Sequence, residues 1–516
     1  VVKVVAKVKE KEIRKTAKKP NIVVIMCDQL RYDALGCNGN PVLQTPNIDQ
    51  LAARGMSFCH AYTPNPLCVP ARISFTTGCY SHRAANGSKD NNGIIREGFP
   101  LLGEELAARG YETYAIGKLH YLPYQPPGKP RTQHGLQHVE LAESGRIIGK
   151  YDPSGGTPGL EDYHDYLHTV GWGGYTRSHG LGNNDIFAAG SPIPKEHYVD
   201  TWIAERVIAH MDAHVQAQPD KPFFMWASFP KPHSPYDPPH PFDKLYDPRE
   251  LPEPIGDAAL LKEQGLDLML KDHYQYMWNY LSPEARKVIK SHYYGLIALQ
   301  DQLVGRIVDC LKRNGKLDDT ILVFTSDHGD MMGDYGLFFK KTFYDGSVKV
   351  PMIISWPGVI PEKSISDELV GLQDILPTLL SLSGEPLERD VDGEDLSPVL
   401  LEGKPVRPYY VSQCLQGKTM QCYMLKTKQW KYIYHEYGGI EELYDELGDP
   451  AELHNLAASN ESAVQEIKQI LRVQLLDWCL QNEDNAMIVN GDLIITAKGS
   501  QSEIKDNPSM FGRRYY

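Results

Sequence analysis

The chain has no run of 18 consecutive apolar residues, so its sequence offers no membrane-spanning helix. It has no C-x-x-C pair, and its nine cysteines, at 27, 37, 59, 68, 79, 310, 414, 422 and 479, are odd in number and irregular in spacing. That excludes a disulfide framework as the organising device and leaves most of them as small core residues. A surplus of positive charge is also missing: 53 lysines and arginines against 66 aspartates and glutamates give a formal net charge of −13. Nucleic-acid-binding proteins present the opposite sign, so no nucleic acid is expected as a partner. No internal repeat or low-complexity block interrupts the chain. Residues 1–19 are Lys-rich, lack the long apolar stretch of a signal peptide and read as a surface arm. The sequence is compatible with a soluble cytoplasmic, periplasmic or secreted protein, and it leaves the choice between monomer and homo-oligomer open.

What is present suffices for a large core: 41% of the 516 residues are hydrophobic and 23% charged. The pattern predicts a long α/β region over 20–385, a smaller α+β region over 386–485 and a loosely packed polar tail over 486–516. In the first region one layout recurs. A short β-rich apolar run is followed by residues able to do chemistry: Asn21–Met26 by Asp28 and Gln29, Tyr111–Ile116 by Lys118 and His120, Phe223–Ser228 by Lys231 and His233, Thr320–Thr325 by Asp327 and His328. Continuous apolar strands fit a mostly parallel sheet covered by helices on both faces. Such sheets collect ligands outside the carboxyl ends of their strands, so the four runs predict one site. Thr45-Pro46 reads as an N-cap and first-turn proline for a helix over 47–54, with Gly55 as its left-handed terminator, and Leu101–Arg109 repeats the plan before Gly110. Helical faces are expected over 197–214, 293–314 and 462–480, and antiparallel strands over 409–411, 422–426 and 431–434. The stretch 150–195 reads as a loop insertion whose Trp172, Tyr175, Arg177 and His179 are candidates for contacting a leaving group.

Two carboxylates, an amide oxygen and an imidazole at Asp28, Gln29, Asp327 and His328 suit Ca²⁺, Mg²⁺ or Mn²⁺. Either pair alone caps a strand end as readily as it binds an ion. Cys68-Val69-Pro70-Ala71-Arg72 places a thiol and a guanidinium four residues apart, where the arginine can hold the nucleophile and carboxylates together. Lys118 and His120, like Lys231 and His233, stand two residues apart, which in extended backbone turns both side chains to one face. Lys340 and Lys341 offer a further cation, and spacing does not choose between them.

With Ile73–Gly78, the Cys68 segment has the form C-x-P-[SA]-R-x4-T-G. Together with Thr45–Asp49, Gly117-Lys118-Leu119-His120 and Thr325–Gly329, it resembles the formylglycine-dependent sulfatases of the alkaline phosphatase superfamily over residues 20–460. The resemblance implies that a maturation enzyme oxidises Cys68 to formylglycine and that residue 68 lies close to one divalent ion, Ca²⁺ first with Mn²⁺ or Mg²⁺ as alternatives. It implies Asp28, Gln29, Asp327 and His328 as ligands, and Arg72, Lys118, His120, His233 and Lys340 around the sulfate, with Lys231 and Asn91 as further substrate contacts. Gln29 and His328 depart from the commoner Asp and Asn and look like the choline-sulfatase and phosphonate-monoester-hydrolase branches. Phosphonate or phosphodiester hydrolysis is therefore the alternative reaction; those hydrolases typically lack the Gly-Lys-x-His pair. A cation about 4 Å from a bound anion gains on the order of 4 kcal/mol at an effective dielectric near 20, whereas surface charges are screened beyond about 8–10 Å. The pocket thus outweighs the acidic exterior for one sulfate, and a small sulfate ester or short saccharide is expected over a long polyanion.

Overall fold

The computed structural model describes residues 18–86, 91–152, 154, 156–266, 281–414 and 421–497. Of the expected basic arm only Lys18 and Lys19 fall among them, and of the tail only 486–497; the rest of both lies outside the described residues.

The main sheet has eight strands: β1 (Asn21–Asp28), β2 (Met56–Tyr62), β3 (Glu112–Gly117), β4 (His138–Leu141), β5 (Phe223–Pro232), β6 (Thr320–Ser326), β7 (Met352–Ser355) and β8 (Ser364–Gly371). Their spatial order is β8-β2-β7-β6-β1-β5-β3-β4. The four apolar runs are therefore consecutive neighbours, β6-β1-β5-β3, all parallel, with Ile22 opposite Phe224 on one side and Ile321 on the other. β7 runs antiparallel to β2 and β6, which makes the sheet mixed but mostly parallel. β1 is buried throughout. Its Val23, Ile25 and Cys27 enter one core with Ile203, Val207 and Ile297, while Ile22, Val24 and Met26 enter a second with Phe75, Leu102 and Leu376. Two buried faces explain why the run reads as continuously apolar, and each such aliphatic side chain contributes about 1.5–3 kcal/mol.

The helix Pro283–Arg313 starts ten residues before its expected apolar face, because its first turns are largely exposed and carry no periodicity. Ser282 Oγ caps it by accepting from Ala285 N at 3.2 Å. The helix Pro46–Ala53 is present, with Thr45 at the N-cap position and Pro46 in its first turn as expected. The Thr45 side chain caps no helix amide, because its Oγ1 donates to Asp49 and accepts from Gly36 N and so ties a loop. Gly55 does not have a positive φ; a Cβ there would sit 2.3 Å from the Ile354 carbonyl, so glycine permits close approach to β7. Gly110, with φ of 88°, does take the left-handed position.

A second sheet is antiparallel in the order β9 (Tyr410–Cys414), β10 (Cys422–Lys426), β11 (Trp430–His435) and β12 (Ile440–Asp445). Its fourth strand, IEELYD, was not expected, since its polar start hides the alternation. The helix Ser462–Gln481 covers this sheet through Leu471, Leu475 and Trp478. Residues 486–497 are not loosely packed: Met487 and Leu493 join the same core, and Thr496 exchanges backbone hydrogen bonds with the 436–438 turn. Among its described residues the 150–195 stretch holds the α-helix Asp162–Thr169 and the 3₁₀ turn Tyr175–Arg177 between loops. Among the described residues no helix is long and apolar enough to cross a membrane.

Candidate active site

Because β1, β3, β5 and β6 are parallel, their carboxyl ends share one edge, and backbone bonds lock that edge. Asp327 N donates to Cys27 O at 3.2 Å, His233 N to Asp28 O at 3.0 Å and Lys118 N to Ser228 O at 2.9 Å. Against it lies the wholly buried helix Cys68–Thr77, with Cys68 as its first residue and Gly78 (φ 69°) at its end. Asn91 Oδ1 accepts from Val69 N at 3.1 Å and so satisfies a first-turn amide that the helix cannot.

Asp28, Cys68, Asp327 and His328 each offer one ligand atom, all within 4.8 Å of one another and all buried. Cys68 Sγ lies 3.1 Å from His328 Nε2 and 3.8 Å from Asp28 Oδ1, and His328 Nε2 is 3.6 Å from Asp327 Oδ1. The Gly329 carbonyl can only accept, so His328 Nδ1 carries the proton toward it (2.9 Å) and Nε2 presents a lone pair. Burial pushes the His328 pKa down to about 3, which keeps the imidazole neutral as a ligand must be. Burial opposes ionisation of Asp327, yet the positive charges around it, Arg72 and Lys118 among them, hold its carboxyl well below the usual range. Two carboxylates and a neutral imidazole facing one point fit a divalent cation.

Arg72 joins the ends of all four central strands. Its Nε donates to Asp327 Oδ2 at 2.9 Å, its Nη1 to Lys118 O and Ser228 Oγ, and its Nη2 stands 3.8 Å from Asp28 Oδ2. Lys118 donates to the same Asp28 oxygen, which leaves Oδ1 for the cluster. Gln29, in the left-handed region at φ 72°, gives its amide N–H to Asp330 Oδ2 and takes Lys340 Nζ on its Oε1 at 2.6 Å. An amide oxygen has two lone pairs, so that bond leaves one. Lys340 also donates to His233 Nε2 at 2.9 Å, while His233 Nδ1 donates to the Ser234 carbonyl. Burial lowers the pKa of both groups, His233 strongly. Burial also lowers that of His120, whose Nδ1 has no hydrogen-bond partner.

Cys68 opens on a cavity of about 290 Å³ whose wall includes Asn91, His120, His233, Lys340 and Lys341. Lys341, expected as a solvated neighbour, thus shares the wall with Lys340. Lys231 does not reach it. A register shift between Cys27 and Asp28 breaks the regular alternation of β5, and Lys231 turns to Asp237 and the Pro235 carbonyl beside a separate cavity of about 50 Å³. His120 arrives by a different route from the one expected: Gly117 (φ 110°) and His120 itself (φ 57°) fold the backbone, and Glu143 Oε1 accepts from Leu119 N and His120 N.

None of the four insertion residues lines the Cys68 cavity. Trp172 packs on the core with Tyr175 edge-on, Arg177 donates to Asn183 and Ser144 O, and His179 braces Asp237. The insertion sends Asn184 instead. Arg146 is the cation the sequence reading missed: it enters the wall from the turn after β4, a four-residue strand with no continuous apolar run to mark it.

Residues 20–385 match the family model described as Sulfatase, and residues 333–481 match N-sulphoglucosamine sulphohydrolase, C-terminal. The chain belongs to the sulfatase family. As a sulfatase it is a sulfuric ester hydrolase of the alkaline phosphatase superfamily, and its family works with formylglycine and a divalent metal. It is 32% identical over 458 residues to an arylsulfatase of Clostridium perfringens, covering 86% of this chain and 91% of that one. It is 30% identical over 453 residues to a choline-sulfatase of Rhizobium meliloti, covering 86% and 83%. Its fold is similar to that of a phosphonate monoester hydrolase of Agrobacterium radiobacter, with a TM-score of 0.75 and 25% identity over 90% of this chain and 96% of that one.

Proposed function

We propose that the chain hydrolyses sulfate monoesters of small alcohols or short saccharides at residue 68, oxidised to formylglycine. A divalent ion would be held there by Asp28, Gln29, Asp327 and His328. The observation that carries this reading is the meeting of Cys68 with two carboxylates and His328 within 4.8 Å, at a cavity walled by His120, His233 and Lys340. The oxygen-rich donor set would favour Ca²⁺, with Mn²⁺ as runner-up because His328 is a nitrogen ligand. Cys68 is 1% exposed, so its oxidation by a maturation enzyme would precede closure of the fold. Residues 20–385 would carry the chemistry, with 386–485 as the supporting subdomain.

The oxidised residue would supply the attacking hydroxyl and a built-in route for releasing sulfate, and the ion would offset negative charge. This chain's own groups do the rest. Arg72 and Lys118 fix the carboxylates, and Lys118 and Lys340 stabilise charge on the sulfuryl oxygens. Lys340 and His233 share one hydrogen bond, so the pair delivers a proton to the departing oxygen from Lys340 Nζ or through His233 Nε2. His120, neutral and with Nδ1 open, accepts the proton that sulfate release requires.

The test pairs mass spectrometry of the peptide containing residue 68 with turnover of an aryl sulfate and a phenylphosphonate monoester, after coexpression with a maturation enzyme. Loss of the thiol mass and faster sulfate turnover are expected. An intact thiol in active enzyme, or faster phosphonate turnover, would overturn the reading.

A further inference from the structure

Arg146 is held as a functional cation is held, yet the sulfate chemistry above has no need of it. It follows Gly145, whose φ of 77° turns the chain, and begins the short helix Arg146–Tyr151. The wholly buried Glu161 fixes the segment on both sides: its carboxylate accepts from the backbone N–H groups of Glu143, Gly145 and Ile147. Arg146 Nη1 donates to the Glu143 carbonyl at 3.0 Å, and the guanidinium lines the Cys68 cavity.

It forms no ion pair with any described carboxylate. The nearest in sequence, Glu143, already uses Oε1 for Leu119 N and His120 N and Oε2 for the Tyr124 hydroxyl. The contrast with the cations around Cys68 is sharp. Arg72 and Lys118 are paired with Asp327 and Asp28, Lys340 bonds to Gln29 and His233, and all three are buried. Arg146 is half-buried and lines the same cavity as Asn184, Phe338, Phe339 and Lys341. No Asp or Glu lines the cavity among the described residues.

We propose that Arg146 reads a second anionic group on the substrate, so that the preferred substrates are sulfate monoesters whose alcohol carries a carboxylate or a further sulfate. The inference rests on the sulfatase reading and adds the substrate class. The buried lysines and a divalent ion already match the sulfuryl group undergoing transfer. A fixed guanidinium outside that set favours an anion on the alcohol by charge and by paired N–H donors. The same guanidinium opposes a quaternary ammonium on the alcohol, because two cations would then share the cavity. The preference therefore runs opposite to the one named for the choline-sulfatase relative.

The experiment measures kcat/KM of the matured enzyme on phenyl sulfate, 3- and 4-carboxyphenyl sulfate and choline sulfate, for wild type, Arg146→Met and Arg146→Lys. Wild type is expected to favour one carboxylated ester over phenyl sulfate by about tenfold, the scale of one partly screened charge pair, and to turn over choline sulfate least. In Arg146→Met that ratio should fall to near one, which also corrects for leaving-group acidity; Arg146→Lys should keep part of it. A wild-type ratio near one, an unchanged ratio in Arg146→Met, an equal fall on all esters, or choline sulfate as the best substrate would overturn the proposal. If Arg146→Met does not fold, the wild-type and Arg146→Lys ratios still decide. No turnover of any sulfate ester would instead sink the sulfatase reading on which the inference stands.

Discussion

Lys340 donates to Gln29 Oε1 and to His233 Nε2, which sets its ammonium between the end of β1 and an imidazole at the cavity wall. From there it can face the sulfuryl oxygens and hold a proton for the leaving alcohol. Lys340→Ala is expected to lower kcat about 10²–10³-fold on alkyl sulfates and less on 4-nitrophenyl sulfate, whose leaving group needs no proton. Equal losses on both esters would assign Lys340 to charge stabilisation alone. Arg72 plays the opposite part, wholly buried and ion-paired with Asp327 through Nε, with Nη2 3.8 Å from Asp28. Arg72→Met leaves the buried Asp327 without its ion pair and Asp28 with Lys118 alone, a change that costs about 3–5 kcal/mol. Millimolar Ca²⁺ or Mn²⁺ should recover much of the lost melting temperature by supplying the missing positive charge; a loss insensitive to either ion would separate these carboxylates from the metal.

Among elements, the helix Val199–Ala217 packs on β5 with Asp200 facing inward. Burial raises the Asp200 pKa to about 7, against the pull of Lys231 and a hydrogen bond from Gln300. Between its unfolded value near 4 and about 7 the folded chain holds a proton that the unfolded chain has lost. The stability this group contributes is therefore present below pH 4 and lost as pH rises to 7. From pH 5 to 8 wild type should lose up to about 3 kcal/mol relative to Asp200→Asn, readable in urea midpoints; parallel profiles would show that Asp200 stays ionised. The elements also mark what the sequence made legible. β1, β3, β5 and β6 were readable because two buried faces demand unbroken apolar residues. β4 was not, since three of its four residues are half-buried and the first is exposed, which leaves no pattern. Side-chain direction was readable only where strands stay regular. The i, i+2 rule failed at Lys231 because β5 shifts register there, and it misdescribed His120 because positive φ values fold that segment.

For the molecule as a whole, one buried lysine helps fasten the second sheet to the catalytic region, alongside the bonds from Tyr344 Oη to Glu442 and from Ser412 Oγ to Thr63 O. Lys431 on β11, wholly buried, meets Asp345, Glu446 and Glu452, and Glu452 Oε2 accepts from Asp345 N at 2.8 Å. Asp345 follows the Lys340–Lys341 segment by four residues, so this brace supports a wall of the active site from behind. Its acidic triad could resemble a cation site, but the Lys431 ammonium already fills it. Lys431→Met should cost about 3–5 kcal/mol by leaving three carboxylates close together. Activity should disappear along with the folded fraction during denaturation, not before it. A shift below about 1 kcal/mol would mean that water relieves the cluster and the brace is weak.

The apolar runs by themselves determined the parallel sheet, because strands buried on both faces need them, and the resemblance carried by the Cys68 segment pointed to the reaction class. Tertiary structure decided which cations face the substrate. Lys231 and Arg146 are equally basic in sequence, but one is consumed by an aspartate six residues away and the other is propped against an open cavity by a glutamate fifteen residues on. Such pairings depend on where backbone turns and bulges send each side chain, and local pattern does not encode them.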